Sequence, residues 1–116
     1  MTTTKKDRSI LLVEDDPKLR YVLETLLSER GCRVKVCEDA ACARKLHADH
    51  FDVAIVDVRL PVESGTDLAN HLAETHKPLK IIFITGYDNL ENFETRLKGA
   101  ELLVKPFDFE ALWKLI

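Results

Sequence analysis

The chain has 116 residues, the size of one domain with a single hydrophobic core. Its apolar content of 46% and charged content of 32% are typical of a globular protein. A net charge of −3 lacks the basic excess of a nucleic-acid binder, so we expect this segment not to bind nucleic acid directly. No apolar stretch reaches the roughly 20 residues of a membrane span, and the polar start does not resemble a signal peptide. These features predict a cytoplasmic protein with no membrane contact.

Short apolar runs alternate with amphipathic helices along the chain, which favours βα units and a parallel sheet. The predicted strands are Ser9–Glu14, Arg33–Cys37, Asp52–Asp57, Lys80–Ile84 and Glu101–Val104. The predicted helices are Pro17–Arg30, Ala40–Ala48, Thr66–Thr75, Asn89–Lys98 and a last one that begins near Asp108. Right-handed crossovers on both faces would give a doubly wound, three-layer α/β domain.

The first helix has the clearest boundaries. Asp16 suits the N-cap, Pro17 suits the first helical position, and Gly31 suits the position just after the end. Its apolar stripe has helical spacing, so we expect one face to be buried. The stripe consists of Leu19, Val22, Leu23, Leu26 and Leu27.

The three cysteines, Cys32, Cys37 and Cys42, are odd in number and spaced five apart. This spacing is neither a CxxC motif nor that of a zinc ribbon. We predict reduced thiols, as is usual in the cytosol, with no metal bound to them.

Chemically active side chains follow the carboxyl ends of four strands. Glu14 and Asp15 follow the first strand, Asp57 ends the third, Thr85 follows the fourth, and Lys105 follows the fifth. In an open parallel sheet this edge is where ligands bind. We therefore predict one site, with acids for a divalent cation, one Asp that reacts, and a hydroxyl and an ammonium for a phosphoryl group.

Three clustered carboxylates need a counter-charge. At an effective dielectric of about 20, each close like-charge pair costs about 4 kcal/mol. A cation would relieve this repulsion, and hard oxygen ligands suit Mg²⁺. Asp57 is then a candidate nucleophile, since carboxylates form acyl phosphates and Mg²⁺ and Lys105 would supply positive charge. Lys105–Pro106 is also a candidate cis peptide.

Four separated motifs resemble, in order and spacing, those of the receiver domain of two-component response regulators. They are Val13–Asp16, Asp57–Gly65, Ile84–Gly86 and Lys105–Phe107. The resemblance covers nearly the whole chain. It implies a flavodoxin-like fold with five strands in the order 2-1-3-4-5 and five helices. We place the receiver domain at residues 9–116, after a disordered N-terminal tail at residues 1–8.

The resemblance implies that Asp57 accepts a phosphoryl group from a histidine kinase or a histidine phosphotransfer protein. Thr85 and Lys105 would bind this group and couple it to an output face made of the fourth helix, fifth strand and last helix. The protein would be a signalling switch, not an enzyme, with only self-catalysed phosphorylation and dephosphorylation. The implied Mg²⁺ ligands are Glu14, Asp15, Asp57 and the backbone carbonyl of Arg59.

The chain departs from the family pattern at positions that affect switching. Leu102 stands where the family often has a Tyr or Phe that rotates as part of the switch. Arg59 and Tyr87 lie two residues beyond Asp57 and Thr85, where side chains of the family flank the path of the attacking water. We predict that Arg59 and Tyr87 shield the phosphoryl group and slow self-dephosphorylation.

Three other functions are weighed against this one. A flavin-binding module would need a Gly/Ser/Thr-rich phosphate loop where Glu14–Asp16 stands. A phosphohydrolase or nuclease with a DxD motif is disfavoured, because Arg59 stands where the second Asp of that motif would follow Asp57. A phosphorylation-independent pseudo-receiver, acting as a binding module, is opposed by the complete set of site residues.

The wider organisation stays open at this stage. The chain is either a stand-alone receiver with a downstream protein partner or the regulatory domain of a longer protein with an output domain. Dimerisation through the output face is also open.

Overall fold

A computed structural model describes residues 5–46, 50–76, 78–86, 93 and 97–116. Its strands are β1 (Ser9–Val13), β2 (Arg33–Cys37), β3 (Val53–Asp57), β4 (Lys80–Gly86) and β5 (Glu101–Lys105). Its helices are α1 (Pro17–Glu29), α2 (Ala40–Arg44), α3 (Gly65–Thr75) and α4 (Phe109–Leu115). None of the helices among the described residues combines the length and the apolar character of a membrane span.

The five strands form one parallel sheet in the order β2-β1-β3-β4-β5. The predicted flavodoxin-like, doubly wound α/β fold is confirmed. Five helices were predicted, and four lie within the described residues. The remaining one, predicted at Asn89–Lys98, falls mostly outside them, so it stays a prediction.

Alternating side chains of the central strands enter two separate core clusters, one on each face of the sheet. All five residues of β3 are buried, as expected for a strand with neighbours on both sides and helices on both faces. One cluster includes Leu11, Val13, Ala54, Val56, Phe83, Leu68 and Leu72. The other includes Ile10, Leu12, Ile55, Ile82, Leu23, Leu27 and Leu112.

The boundaries of α1 agree with its capping signals. The Asp16 side chain accepts a hydrogen bond from the Lys18 N–H at 3.0 Å, and Pro17 is the first helical residue. Gly31 has a φ of +91°, which a glycine adopts without steric cost. The predicted stripe is wrong at Val22, which is 47% exposed because it lies at the solvent edge of the buried face.

The prediction of reduced cysteines is wrong for two of the three. Cys37, at the end of β2, and Cys42, in α2, form a disulfide with a Cα–Cα distance of 5.5 Å. The chain reverses between them through Glu38 and Asp39, which brings two residues five positions apart face to face. Cys32 is a free, buried thiol.

The carbonyl end of α4 is surrounded by cations from distant parts of the chain. Lys5 Nζ donates to the Trp113 carbonyl, Arg8 donates to the Ile116 oxygen at 2.6 Å, and Lys80 Nζ donates to the Leu115 carbonyl. Positive charge stabilises this end of a helix, where backbone carbonyls lack partners.

Residues 1–4 of the predicted disordered tail lie outside the described residues, and the division at residue 9 stays a prediction.

Candidate functional site

Strand register brings the polar strand ends to one edge. Val13 pairs with Val56, which places the residues after β1 beside Asp57. Asp57 pairs with Ile84 on β4, and Gly86 pairs with Lys105 on β5. The carboxyl ends of β1, β3, β4 and β5 therefore lie side by side at one edge of the sheet, where an open parallel sheet binds its ligands.

Glu14, Asp15 and Asp57 form an acidic cluster at this edge. Each offers one carboxylate oxygen, and these three oxygens lie within 4.8 Å of one another. Glu14 is fully buried and Asp57 is 3% exposed, whereas Asp15 is exposed. The cluster thus has a buried floor and one ligand open to solvent, which would let an ion enter.

Lys105 contacts two of these carboxylates. Its Nζ lies 2.9 Å from Asp57 Oδ2 and 3.0 Å from Glu14 Oε1. Burial by itself would lower the pKa of Lys105, but the contacts with the Asp57 and Glu14 carboxylates raise it above its ordinary value. The ammonium is therefore charged throughout the physiological pH range and offsets part of the negative charge of the cluster.

Glu14 is the carboxylate most affected by its surroundings. Burial raises its pKa to about 7, and the neighbouring Asp57 adds to this rise, although the Asp16 N–H and Lys105 oppose it. Glu14 Oε2 accepts the Asp16 N–H at 3.1 Å. Glu14 Oε1 has the Lys105 ion pair but, within the described residues, no hydrogen bond of acceptable geometry.

A buried carboxylate oxygen whose described contact is an ion pair, and not a neutral hydrogen-bond donor, fits a site built for positive charge. The donor set also fits, because three carboxylate oxygens are hard ligands of the kind that divalent cations prefer. Lys105 supplies one positive charge against three carboxylates. The acidic cluster can therefore hold a divalent metal ion.

Asp57 is held by the loop that follows it. The Arg59 N–H donates to Asp57 Oδ1 at 2.9 Å, and the Gly65 N–H donates to the Val58 carbonyl at 2.8 Å. A Cβ on Gly65 would lie 2.0 Å from the Asp57 carbonyl oxygen, so only glycine permits α3 to begin this close to β3. Gly65 was recognised only as part of a motif, and its role is to let the backbone of α3 approach Asp57.

Two further contacts that the sequence analysis missed support the acidic cluster. Arg20, on α1, donates to the Glu14 carbonyl at 2.8 Å, and the Glu14 N–H donates to the Cys37 carbonyl at 3.0 Å. The contact of Arg20 with Glu14 has one signal in the sequence, which is an arginine four residues after the N-cap Asp16. Side chains on a helix point toward its N-terminus, so an arginine at this position can reach the residues that precede the helix.

A salt bridge connects α2 with the loop that follows Asp57. Arg44, on α2, pairs with Glu63, in the loop between β3 and α3, through two hydrogen bonds. This pairing with Arg44 lowers the pKa of Glu63. The salt bridge therefore ties α2 to the loop that carries Arg59.

The remaining predicted residues have different settings. Thr85 is fully buried, and its hydroxyl donates to the Gly86 carbonyl at 3.3 Å. Leu102 is half-buried and pairs with Phe83. Tyr87 lies outside the described residues. Lys105–Pro106 is a cis peptide, as predicted.

A cavity of about 430 Å³ opens over the cluster. Its lining includes the carboxylates of Asp15 and Asp57 and the ammonium of Lys105. The full set is Asp15, Asp57, Arg59, Leu60, Pro61, Gly86 and Lys105. A group the size of a phosphate can reach Asp57 and Lys105 through this opening.

The response regulator receiver domain family matches residues 10–116. The chain belongs to this family. As a receiver domain it is homologous to phosphorylatable receivers of two-component signal transduction, and the predicted family resemblance is confirmed.

Two curated relatives illustrate the range of architectures. The receiver is 38% identical over 106 residues to the two-component response regulator PhoP of Pseudomonas aeruginosa, which covers 89% of this chain and 47% of PhoP. It is 32% identical over 108 residues to the response regulator receiver protein CpdR of Brucella abortus, which covers 90% of each chain. The chain spans less than half the length of PhoP and of several other curated relatives.

The response regulator TrrA of Thermotoga maritima has a similar structure. The TM-score is 0.77 at 30% identity, with 94% of this receiver and 99% of TrrA covered. TrrA was crystallised in complex with Mg²⁺ and BeF.

Proposed function

We propose that this receiver is a phosphorylation switch in which Asp57 is the phosphoacceptor. The contact between Lys105 Nζ and Asp57 Oδ2 at 2.9 Å carries the proposal, because it places an ammonium against one buried carboxylate oxygen at the mouth of a cavity. This arrangement is what phosphoryl transfer needs, since its transition state spreads negative charge over the phosphoryl oxygens.

The donor is the phosphohistidine of a histidine kinase or a histidine phosphotransfer protein. An oxygen of Asp57 attacks phosphorus, the new P–O bond forms, and the P–N bond breaks with its electrons returning to the imidazole, which takes a proton. Lys105 stabilises the phosphoryl oxygens during transfer. Thr85 is placed at the neighbouring strand end, where rotation of its hydroxyl away from the Gly86 carbonyl would let it donate to the acyl phosphate.

Mg²⁺ is the proposed cofactor. Glu14, Asp15 and Asp57 would hold it with the backbone carbonyl of Arg59, and the close grouping of three carboxylate oxygens around the buried Glu14 supports this assignment. When bound, Mg²⁺ supplies Lewis-acid charge that screens the carboxylates from the incoming phosphoryl group. The Mg²⁺ and BeF bound by TrrA also support it.

The protein acts through a partner or an output domain and catalyses only its own phosphorylation and dephosphorylation. The proposed output face is the segment Asn89–Lys98 with β5 and α4, and dimerisation through it is compatible with either architecture. PhoP, with a length about twice that of this chain, supports a regulatory domain, and CpdR, of similar length, supports a stand-alone receiver. We place the protein in the cytoplasm.

The test is phosphorylation by acetyl phosphate, with Mg²⁺ or with a chelator, followed by intact mass. We expect a Mg²⁺-dependent gain of one phosphoryl group in the wild type and none in Asp57→Asn. The matched control is Asp67→Asn, an exposed carboxylate on α3, which should be phosphorylated like the wild type. An equal gain in Asp57→Asn would show another acceptor. No gain from acetyl phosphate or from a phosphohistidine donor would overturn the proposal.

A further inference from the structure

Cys37 and Cys42 are placed to exchange between a dithiol and a disulfide. Their Cα atoms are 5.5 Å apart, which lies in the range that a disulfide spans without backbone movement. The Cys42 N–H donates to Asp39 Oδ1 at 2.9 Å, which holds Cys42 in the first turn of α2 beside the end of β2. A hydrogen bond within the turn therefore holds Cys42 near Cys37 in addition to the S–S bond.

The pair adjoins the acidic cluster. Cys37 pairs with Val13, and its carbonyl accepts the Glu14 N–H at 3.0 Å. The backbone of the buried carboxylate Glu14 is thus tied directly to one of the two cysteines. A displacement of Cys37 would therefore shift the backbone of Glu14.

A second connection leads from α2 to the same edge. Arg44, two residues after Cys42, forms the salt bridge to Glu63 in the loop that carries Arg59. The short helix is therefore linked to the site by two routes. One is the disulfide to Cys37 of β2, whose carbonyl accepts the Glu14 N–H, and the other is the salt bridge to the loop that follows Asp57. A helix of five residues has little stability of its own, so its position depends on such links.

The third cysteine is not a competing partner. Cys32 belongs to the core cluster on the opposite face of the sheet from Cys37. It is 7% exposed, and burial raises the pKa of its thiol, which makes it a poor nucleophile. Cys42 is half-buried and Cys37 is 2% exposed, so Cys42 is the sulfur that a small molecule reaches first.

We propose that Cys37 and Cys42 form a reversible, redox-responsive disulfide that holds α2 against the edge of the sheet carrying the acidic cluster. The inference goes beyond phosphorylation and does not depend on it. Its reversibility follows from the cytoplasmic location proposed above, because disulfides in the cytosol of mesophiles are usually transient and redox-sensing.

The oxidant is a low-molecular-weight disulfide such as oxidised glutathione. The Cys42 thiolate attacks one of its sulfurs, forms a mixed disulfide and releases one thiol. The Cys37 thiolate then attacks the Cys42 sulfur and releases the second thiol. Two protein thiols are oxidised by two electrons, and one disulfide is reduced to two thiols, with each departing thiolate taking up one of the two protons.

The first test maps the bond in the full chain. The protein is equilibrated with oxidised glutathione or with dithiothreitol, and its free thiols are alkylated under denaturing conditions. It is then cleaved after Glu38, which separates Cys37 from Cys42, and after Arg33, which separates Cys32 from Cys37. We expect a cross-linked pair of peptides and one alkylated thiol, that of Cys32, after oxidation, and three alkylated thiols after reduction. Reoxidation of the folded protein should restore the cross-link. Its absence in either oxidation, or a bond to Cys32, overturns the proposal.

The second test measures amide hydrogen exchange in both redox states. The N–H groups of Ala43, Lys45 and Leu46 bond within α2 and its last turn. We expect them to exchange about tenfold or more slowly in the oxidised protein, since the bond removes open states of this segment. Cys42→Ser should abolish the redox difference, and Cys32→Ser should retain it. Equal exchange in the two states of the wild type would refute the role of the disulfide, even if Cys42→Ser does not fold.

Discussion

Lys105 Nζ lies 2.9 Å from Asp57 Oδ2 and 3.0 Å from Glu14 Oε1, so one ammonium from β5 is shared by two buried carboxylates. This contact crosses β4, which separates the strands of Lys105 and Asp57. It occupies the position where a phosphoryl group attached to Asp57 would need a positive charge.

The first prediction concerns Lys105. Lys105→Met should slow the phosphorylation of Asp57 about 100-fold, because loss of one preorganised donor to the transferring group has an effect of this order. The rate is measured by intact mass with acetyl phosphate and Mg²⁺. Lys114→Met, the same change at an exposed lysine of α4, is the control and should retain the wild-type rate. Equal rates in the two variants would show that Lys105 takes no part in phosphoryl transfer.

The second prediction concerns the metal ion. Mg²⁺ should stabilise the wild type by about 2.7 kcal/mol at a free concentration about 100 times its dissociation constant, because it binds only the folded state. Urea unfolding with Mg²⁺ or with a chelator gives this difference. Asp15→Asn should lose the Mg²⁺ effect and Asp67→Asn should keep it. A stabilisation by Mg²⁺ that survives Asp15→Asn would place the ion elsewhere.

The third prediction concerns Gly65. Gly65→Ala should destabilise the domain by about 3 kcal/mol, because the new Cβ would overlap the Asp57 carbonyl oxygen and displace α3 or β3. Gly99→Ala is the control. Its Cβ would meet nothing within 4 Å, so only the positive φ contributes, at a cost of about 1 kcal/mol. Similar losses of unfolding free energy in both variants would argue against a close approach at Gly65.

The fourth prediction concerns pH and the Arg44–Glu63 pair. Because Arg44 lowers the pKa of Glu63 in the folded state, the pair stabilises the fold above the ordinary pKa of Glu63. This contribution is lost as the pH falls through the lowered pKa. A double-mutant cycle of Arg44→Gln and Glu63→Gln should give a coupling of under about 1 kcal/mol at neutral pH, since the pair is partly exposed. The coupling should disappear in acid, and a coupling independent of pH would contradict the assignment.

The fifth prediction concerns the lifetime of the phosphoryl group. Arg59 is exposed at the rim of the cavity, and Tyr87, which lies outside the described residues, occupies the equivalent position after Thr85. Large side chains there should hinder the attacking water, so Arg59→Ala and Tyr87→Ala should each shorten the lifetime of the phosphorylated receiver. Loss of the phosphoryl mass is followed over time after the donor is removed. Rapid loss in the wild type that neither variant changes would refute shielding.

The strands and the edge of the sheet could be predicted because their signals are local. β3 is apolar at four successive positions and then ends on Asp57, a pattern that a buried central strand produces whatever surrounds it. The capping of α1 by Asp16 was predictable for the same reason.

Contacts that depend on how the elements turn and pack could not be predicted in this way. Cys37 and Cys42 pair because the chain reverses at Asp39, and their spacing does not encode that reversal. The sequence does not distinguish Gly65 from an ordinary turn glycine, because its requirement for glycine comes from the close approach of the Asp57 backbone. Similarly, Arg44 and Glu63 lie on separate segments, and only packing of α2 beside the β3–α3 loop brings them together.

The position of Asp57 in the sheet has a mechanical consequence. β3 is hydrogen-bonded on both sides and all its residues are buried, whereas β5 is an edge strand whose last four residues are half-buried. Asp57, the proposed acceptor, is thus anchored in the most constrained strand, and the ammonium that faces it is carried by one of the least constrained strands. When charge is added at Asp57, we expect the acceptor to stay in place and β5, with Lys105, to shift, so that the signal leaves the domain through its edge strand.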